Sequence, residues 1–260
     1  MRRVEEQWGT RISVDVRDVV DSALLERVFR WFARVDDLFS TWRDDTEIMR
    51  IGRGELTVDD ADKDVRVVLA LCEELRVESQ GAFDISVATI ARGPMKTGQA
   101  PLDPSGFVKG WALEQAAAML MMTGVGRFSI GAGGDVLVSG HPETDDPSQG
   151  WRVGIQHPWE HDRVAVVLSV VDAAVATSGR YERGDHIIDP RTGEPAVGLV
   201  AATVVGPDLG IADAYATAVM VRGAEDGLRW LAQRDGYEGL VITPTRDVVS
   251  TPGFDRYRIS

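Results

Sequence analysis

Asp213 and Thr217 stand four residues apart in Ile211-Ala212-Asp213-Ala214-Tyr215-Ala216-Thr217-Ala218, a stretch otherwise made of small and apolar side chains plus one tyrosine. On a helix that spacing puts both on one face, one turn from each other. A carboxylate and a hydroxyl so placed form half of a hard-cation site, which magnesium completes with carbonyls, waters and phosphate oxygens. The same pair also suits a plain helix, with the aspartate meeting the helix dipole and the threonine bonding back to its own turn. Spacing alone leaves both open.

Three other segments carry more polar chemistry than folding requires. In Leu102-Asp103-Pro104-Ser105-Gly106-Phe107-Val108-Lys109-Gly110-Trp111 a turn leads into a helix, whose start offers N–H groups and partial positive charge to an anion, with Lys109 adding a full charge. An ordinary capped helix entry would look the same, and Asp103 could hold a ligand hydroxyl or the turn itself. In Ser129-Ile130-Gly131-Ala132-Gly133-Gly134-Asp135 three glycines in four positions let a backbone approach a ligand closely, so that successive N–H groups point at phosphate oxygens. A tight hairpin turn is the plain alternative, and the spacing of a dinucleotide-binding Rossmann fingerprint is absent. From Ala176-Thr177-Ser178 to His186-Ile187-Ile188-Asp189-Pro190-Arg191-Thr192-Gly193, hydroxyls, a histidine and two arginines could line a polar pocket, while Asp189 to Thr192 also has the form of a type I turn.

The elements that must position these residues are readable in outline. Ile12, Val14 and Val16 alternate with polar residues as in a half-buried strand. From Ser22 onward Leu24, Leu25, Val28, Phe29, Phe32, Val35 and Leu38 recur every three or four residues, which predicts a helix. Further helices are predicted over roughly Asp62 to Glu78, Val108 to Thr123, Ile211 to Val221 and Ala224 to Gln233. Beyond Phe128 short apolar runs alternate with glycines, as in hairpins of an antiparallel sheet, and a last pair of strands is expected at the C-terminal end. No linker or repeat interrupts the chain. The expectation is α+β, with mixed, largely antiparallel sheets and packed helices in one domain over 1–260.

Composition bounds the function. A chain of 260 residues, 44% hydrophobic, buries roughly three quarters of its unfolded surface without disulfides or structural metals. Its net charge of -13 disfavours nucleic acid and anionic membranes, so a phosphate-bearing ligand needs locally placed cations. Cys72 falls on an apolar helical stripe and is expected to pack as a small hydrophobe. Met1-Arg2-Arg3 has no apolar segment behind it, and no run approaches the ~20 apolar residues of a spanning helix. The expected location is cytoplasmic, with no membrane insertion.

Taken together and in order, these segments resemble the FAD:protein FMN transferases, the flavin transferase family also called ApbE. The similarity runs from Trp8-Gly9-Thr10 through FSTWRDDTEIMRI, GAFDISV, DPSGFVKGW, IGAGGDVLVSG, WRVGIQ, ATSGRYERGDHIIDPRTG and ADAYATA. It implies a T-fold-like α+β unit and a magnesium-dependent transfer of FMN from FAD to a Ser or Thr of an acceptor protein, releasing AMP. It also implies roles. Trp42 lies against the flavin nucleotide, and Ala82, Phe83, Asp84, Asp103, Lys109 and Ile187 contact FAD. Trp8, Gly133 and Gly134 belong to the same expected binding surface. Gly106, through its carbonyl, holds Mg2+ with Asp213 and Thr217. Lys109 adds charge at the pyrophosphate, and His186 and Asp189 are the rival bases. Trp8 replaces the family's usual methionine, and the stretch from Asp84 to Asp103 is shorter than in many relatives. An FAD hydrolase using water, or a non-catalytic FAD carrier, would use the same pocket.

Overall fold

The computed structural model describes residues 1–87, 102–143, 149–160, 162–180 and 187–259. Its largest element is an eight-stranded sheet in the order β1-β2-β3-β4-β7-β8-β9-β10, antiparallel at every pairing. The strands are β1 (Arg2–Gln7), β2 (Thr10–Val16), β3 (Phe128–Ala132), β4 (Asp135–Ser139), β7 (Ala173–Gly179), β8 (Ala201–Gly206), β9 (Glu238–Ile242) and β10 (Val248–Ser250). A separate antiparallel pair, β5 (Trp151–Gln156) and β6 (Val164–Val170), forms its own two-stranded sheet. Each glycine-punctuated run predicted beyond Phe128 is a strand.

Two-residue periodicity explains why the middle strands are buried on both faces. In β7, Ala174 and Ala176 face one apolar cluster while Ala173 and Val175 face another; in β8, Ala202 and Val204 divide from Ala201 and Val205 in the same way. The first cluster is shared with the helices, and the second with the β5–β6 pair through Trp151, Val153, Ile155, Leu168 and Val170. The fold is therefore α+β, with helices against one face of an antiparallel sheet and a small hairpin against the other.

The helices are α1 (Ser22–Phe39), α2 (Glu47–Gly52), α3 (Lys63–Glu78), α4 (Ser105–Met121), α5 (Leu209–Arg222) and α6 (Ala224–Leu231). Helix α1 buries the whole predicted stripe plus Phe39, and its N-cap Asp21 accepts a hydrogen bond from the Ala23 N–H at 3.0 Å. A cap of that kind contributes about 1 kcal/mol. Cys72 is buried, and burial pushes its thiol up to about 12, as a packed rather than reactive cysteine requires. Helix α4 begins at Ser105, three residues before the predicted start, so Gly106 and Lys109 both lie inside it. Among the described residues, no helix is long and apolar enough to cross a membrane.

Candidate functional site

Helix α5 is buried nearly all round, because Gly210, Ala212, Ala214, Ala216 and Ala218 leave room for neighbours on every side. Its contact with α4 is a backbone contact. A Cβ added at Gly110 would lie 2.6 Å from the Gly210 nitrogen, and one added at Gly210 would lie 2.8 Å from Phe107 Cε2. Two glycines at the crossing thus permit an approach no other residue pair would allow. From that point the helices run antiparallel. One turn along, Lys109 of α4 meets Asp213 of α5, and a further turn along, Gly106 lies beside Thr217: a Cβ on Gly106 would be 3.6 Å from Thr217 Oγ1 and 3.4 Å from Phe83 Cε2.

Charge is concentrated there. Lys109 Nζ lies 2.6 Å from Asp135 Oδ2 and 3.7 Å from Asp213 Oδ2, and both carboxylates are buried. A buried charge persists only when it is paired, so this ammonium and these two carboxylates depend on one another. Asp135 is anchored on its other oxygen, which accepts the Thr177 N–H at 3.0 Å. The next residue of β7, Ser178, shares a hydrogen bond of 3.1 Å with the Thr217 hydroxyl, and Thr177 shares one of 2.9 Å with Thr203. Four elements, α4, α5, β4 and β7, therefore converge on a patch of oxygen donors around one lysine.

The GAFD segment joins this site from the side. Phe83 N–H is held by Ser79 Oγ at 3.0 Å, and the Asp103 N–H reaches the Ile85 carbonyl at 2.8 Å. Ala82 and Phe83 are buried. The Asp84 carboxylate accepts from both the backbone and the hydroxyl of Ser86, while Asp103 Oδ1 accepts the Ser105 N–H at 3.1 Å in the turn that leads into α4. Turn-making thus occupies an oxygen of each.

The remaining expected contacts sit on turns, a connection and a core position of these same elements. Gly133 and Gly134, with φ of 55° and 90°, form the two-residue turn between β3 and β4, and Gly133 backs onto Thr10. Trp8, at φ 57° in the β1–β2 turn, packs edge-on against Phe32 at 5.4 Å and donates its indole N–H to the Phe32 carbonyl. Trp42 is 83% exposed in the connection between α1 and α2. Ile187 is buried in the main core, its carbonyl accepting the Ala196 N–H. Asp189 heads the expected turn, accepting the Arg191 N–H at 2.9 Å and pairing with its guanidinium at 2.7 Å. That guanidinium holds the carboxyl below its ordinary value and also donates to the Val221 carbonyl at 3.3 Å, one turn beyond Thr217 on α5. His186 lies outside the described residues. The sequence offers Ser178 only as one of several hydroxyls that could line a polar pocket, and gives Asp135 no assigned role. Asp135 had a sequence signal, an acid directly after the double glycine, whereas the link from Ser178 to Thr217 depends on the sheet.

The donor set fits a hard cation. Asp213 offers a carboxylate and Thr217 a hydroxyl on one helix face, and Gly106 lies beside Thr217. No group of three or more His, Cys, Asp or Glu that could hold a metal occurs among the described residues. Such a donor set would suit a metal satisfied by few protein ligands plus waters and phosphate oxygens, as magnesium is, and not one needing a closed protein cage.

Comparison with known proteins adds an independent line. A model of the ApbE family matches residues 8–93 and 92–241. A FAD:protein FMN transferase of Rhodobacter capsulatus is 38% identical over 159 residues, covering 58% of this chain and 30% of the relative. One from Vibrio cholerae is 32% identical over 169 residues, covering 61% of this chain and 48% of the relative. The matches thus span less than half the length of these two curated relatives. Among solved structures, the flavin transferase ApbE from Vibrio cholerae superposes with a TM-score of 0.84 at 23% identity, covering 99% of this chain and 98% of that one, a likeness of fold.

Proposed function

The chain belongs to the ApbE family, and from that premise we propose that it transfers the FMN half of FAD to a serine or threonine of an acceptor protein, using magnesium and releasing AMP. The observation that carries the proposal is the Lys109, Asp135 and Asp213 cluster at the α4–α5 crossing, with Thr217 and Gly106 beside it. The acceptor's hydroxyl oxygen forms a bond to the FMN phosphorus. The bond from that phosphorus to the bridging oxygen breaks, and AMP departs with that oxygen. The hydroxyl proton goes to a base.

Transfer of this kind depends on positioning and charge neutralisation more than on covalent help from the protein. Asp213, Thr217 and the Gly106 carbonyl would hold magnesium, which supplies positive charge to the pyrophosphate when bound. Lys109 adds a second cation from α4, local positive charge in a chain whose net charge is -13. Of the two candidate bases, Asp189 is held ionised and weakly basic by Arg191. Imidazole as a residue type has its ordinary value near neutrality, which makes His186 the better matched candidate.

Mass spectrometry of candidate acceptors incubated with the protein, FAD and magnesium tests the reaction. The expected result is an acceptor heavier by one FMN, with AMP in equal amount. AMP and free FMN formed at the same rate with and without acceptor would replace transfer by hydrolysis, and bound FAD without AMP would leave a carrier.

A further inference from the structure

We propose that Asp135 is a positioning residue: it holds the Lys109 ammonium nearer to itself than to Asp213, so that the lysine competes less with magnesium for the Asp213 carboxylate. The inference rests on the assignment of Asp213 to magnesium made above. Its basis is an asymmetry, 2.6 Å from Lys109 Nζ to Asp135 Oδ2 against 3.7 Å to Asp213 Oδ2.

Rigidity is divided unequally among the three groups. Asp135 is the first residue of β4, directly after the Gly133–Gly134 turn, and its Cα is paired with Ala132 in the hairpin register. It is fully buried, and its Oδ1 is fixed by the Thr177 N–H on the neighbouring strand. Turn, ladder and cross-strand bond therefore aim its Oδ2. Lys109, by contrast, ends a flexible four-carbon stem and can follow whichever carboxylate attracts it most. A charge-assisted contact at 2.6 Å outweighs one at 3.7 Å, so the fixed carboxylate determines where the mobile cation rests. An ammonium and a dication compete for the same lone pairs. Without the charge on Asp135, Asp213 becomes the nearest of the two carboxylates, and a shift of about 1 Å, within reach of a lysine side chain, closes that ion pair.

The test is a calorimetric titration of magnesium into the flavin-free protein as four forms: parent, Asp135→Asn, Lys109→Gln and the double variant. Asparagine keeps the size of the side chain and an oxygen for the Thr177 N–H. Asp135→Asn should weaken magnesium binding by about tenfold, in the range typical of residues that orient a metal ligand. In the Lys109→Gln background, the same substitution should change it little. Equal weakening in both backgrounds would overturn the proposal, because it would mean that Asp135 acts only through its long-range field. So would magnesium binding by Asp135→Asn equal to that of the parent. Lys109→Gln alone should bind magnesium no less tightly than the parent; a loss there also overturns the proposal and does not depend on the folding of Asp135→Asn. Asp213→Asn separates the two levels. If it binds magnesium like the parent, the metal assignment itself is wrong; if it loses binding while the cycle shows no coupling, only the role of Asp135 falls.

Discussion

Asp213 and Glu114 are both acids packed where α4 meets α5, and their surroundings give them opposite tasks. Asp213 faces a lysine, with Lys109 Nζ 3.7 Å from its Oδ2. We therefore expect Asp213→Asn to lower AMP release by at least a hundredfold at ordinary magnesium while melting within a few degrees of the parent; preserved metal-dependent activity would return Asp213 to a packing role. Glu114 is half-buried beside Asp208 at the start of α5, where it accepts the Leu209 and Gly210 N–H groups. Burial first, and then the Asp208 charge, push its carboxyl up to about 8, against the opposing pull of those two N–H groups. An acid whose folded value is raised contributes its full stability below the unfolded value, about 4.5, and loses it as pH climbs through about 8. The parent should therefore lose stability between pH 5 and 8 relative to Glu114→Gln, by on the order of 1–3 kcal/mol. Parallel melting curves for the two proteins over that range would refute the assignment. At this scale the four-residue spacing of Asp213 and Thr217 and the place of Lys109 at a helix start are read from the sequence itself, while Gly106 enters the metal site through the family resemblance. Asp135, Ser178 and Glu114 gain their roles only from partners on other strands and helices, which spacing cannot show.

Helices α4 and α5 make the site by touching, and glycine is what lets them touch. In Gly110→Ala, exchanging glycine for alanine inside a helix gains about 1 kcal/mol of propensity. The new Cβ, however, would sit 2.6 Å from the Gly210 nitrogen, a backbone atom that cannot rotate away. Overpacking of that kind costs about 1–3 kcal/mol, so the clash wins and the helices separate. The melting temperature should fall by several degrees, and FMN transfer should fall further, since the Gly106 backbone on α4 moves away from Thr217 on α5. A variant that melts higher than the parent would show the crossing to be looser than it looks. Helices α1 and α6 were legible because their apolar periodicity is strong, and α5, buried nearly all round, showed instead as a run of small apolar residues; α1, α3, α5 and α6 start within two residues of expectation. Helix α2, six residues long, carries too little periodicity to be seen. The separation of β5 and β6 into their own sheet was hidden for another reason, since alternation tells which residues are buried but not which sheet buries them.

Over the whole molecule, charge and site pull in opposite directions. A net charge of -13 surrounds a pocket proposed to take FAD, whose pyrophosphate is itself anionic. At long range the ligand feels the sum of all charges; within a few ångströms it feels Lys109 and whatever cation Asp213 and Thr217 hold. Salt separates these ranges, because the screening length falls from about 30 Å at 0.01 M to about 8 Å at 0.15 M. The distant repulsion is then largely screened, while contacts inside the partly buried site are screened much less. We therefore expect the FAD association rate, followed by stopped-flow flavin fluorescence at constant magnesium, to rise severalfold between those salt concentrations, with the dissociation rate changing far less. Steering by a cationic funnel predicts the reverse, a steep fall of the association rate with salt. A fall would mean that the local cations dominate the approach as well as the bound state, and that the acidic surface is turned away from the path FAD takes. A rise would place the selectivity for FAD in the short-range contacts around Lys109, leaving the acidic surface to discourage other polyanions.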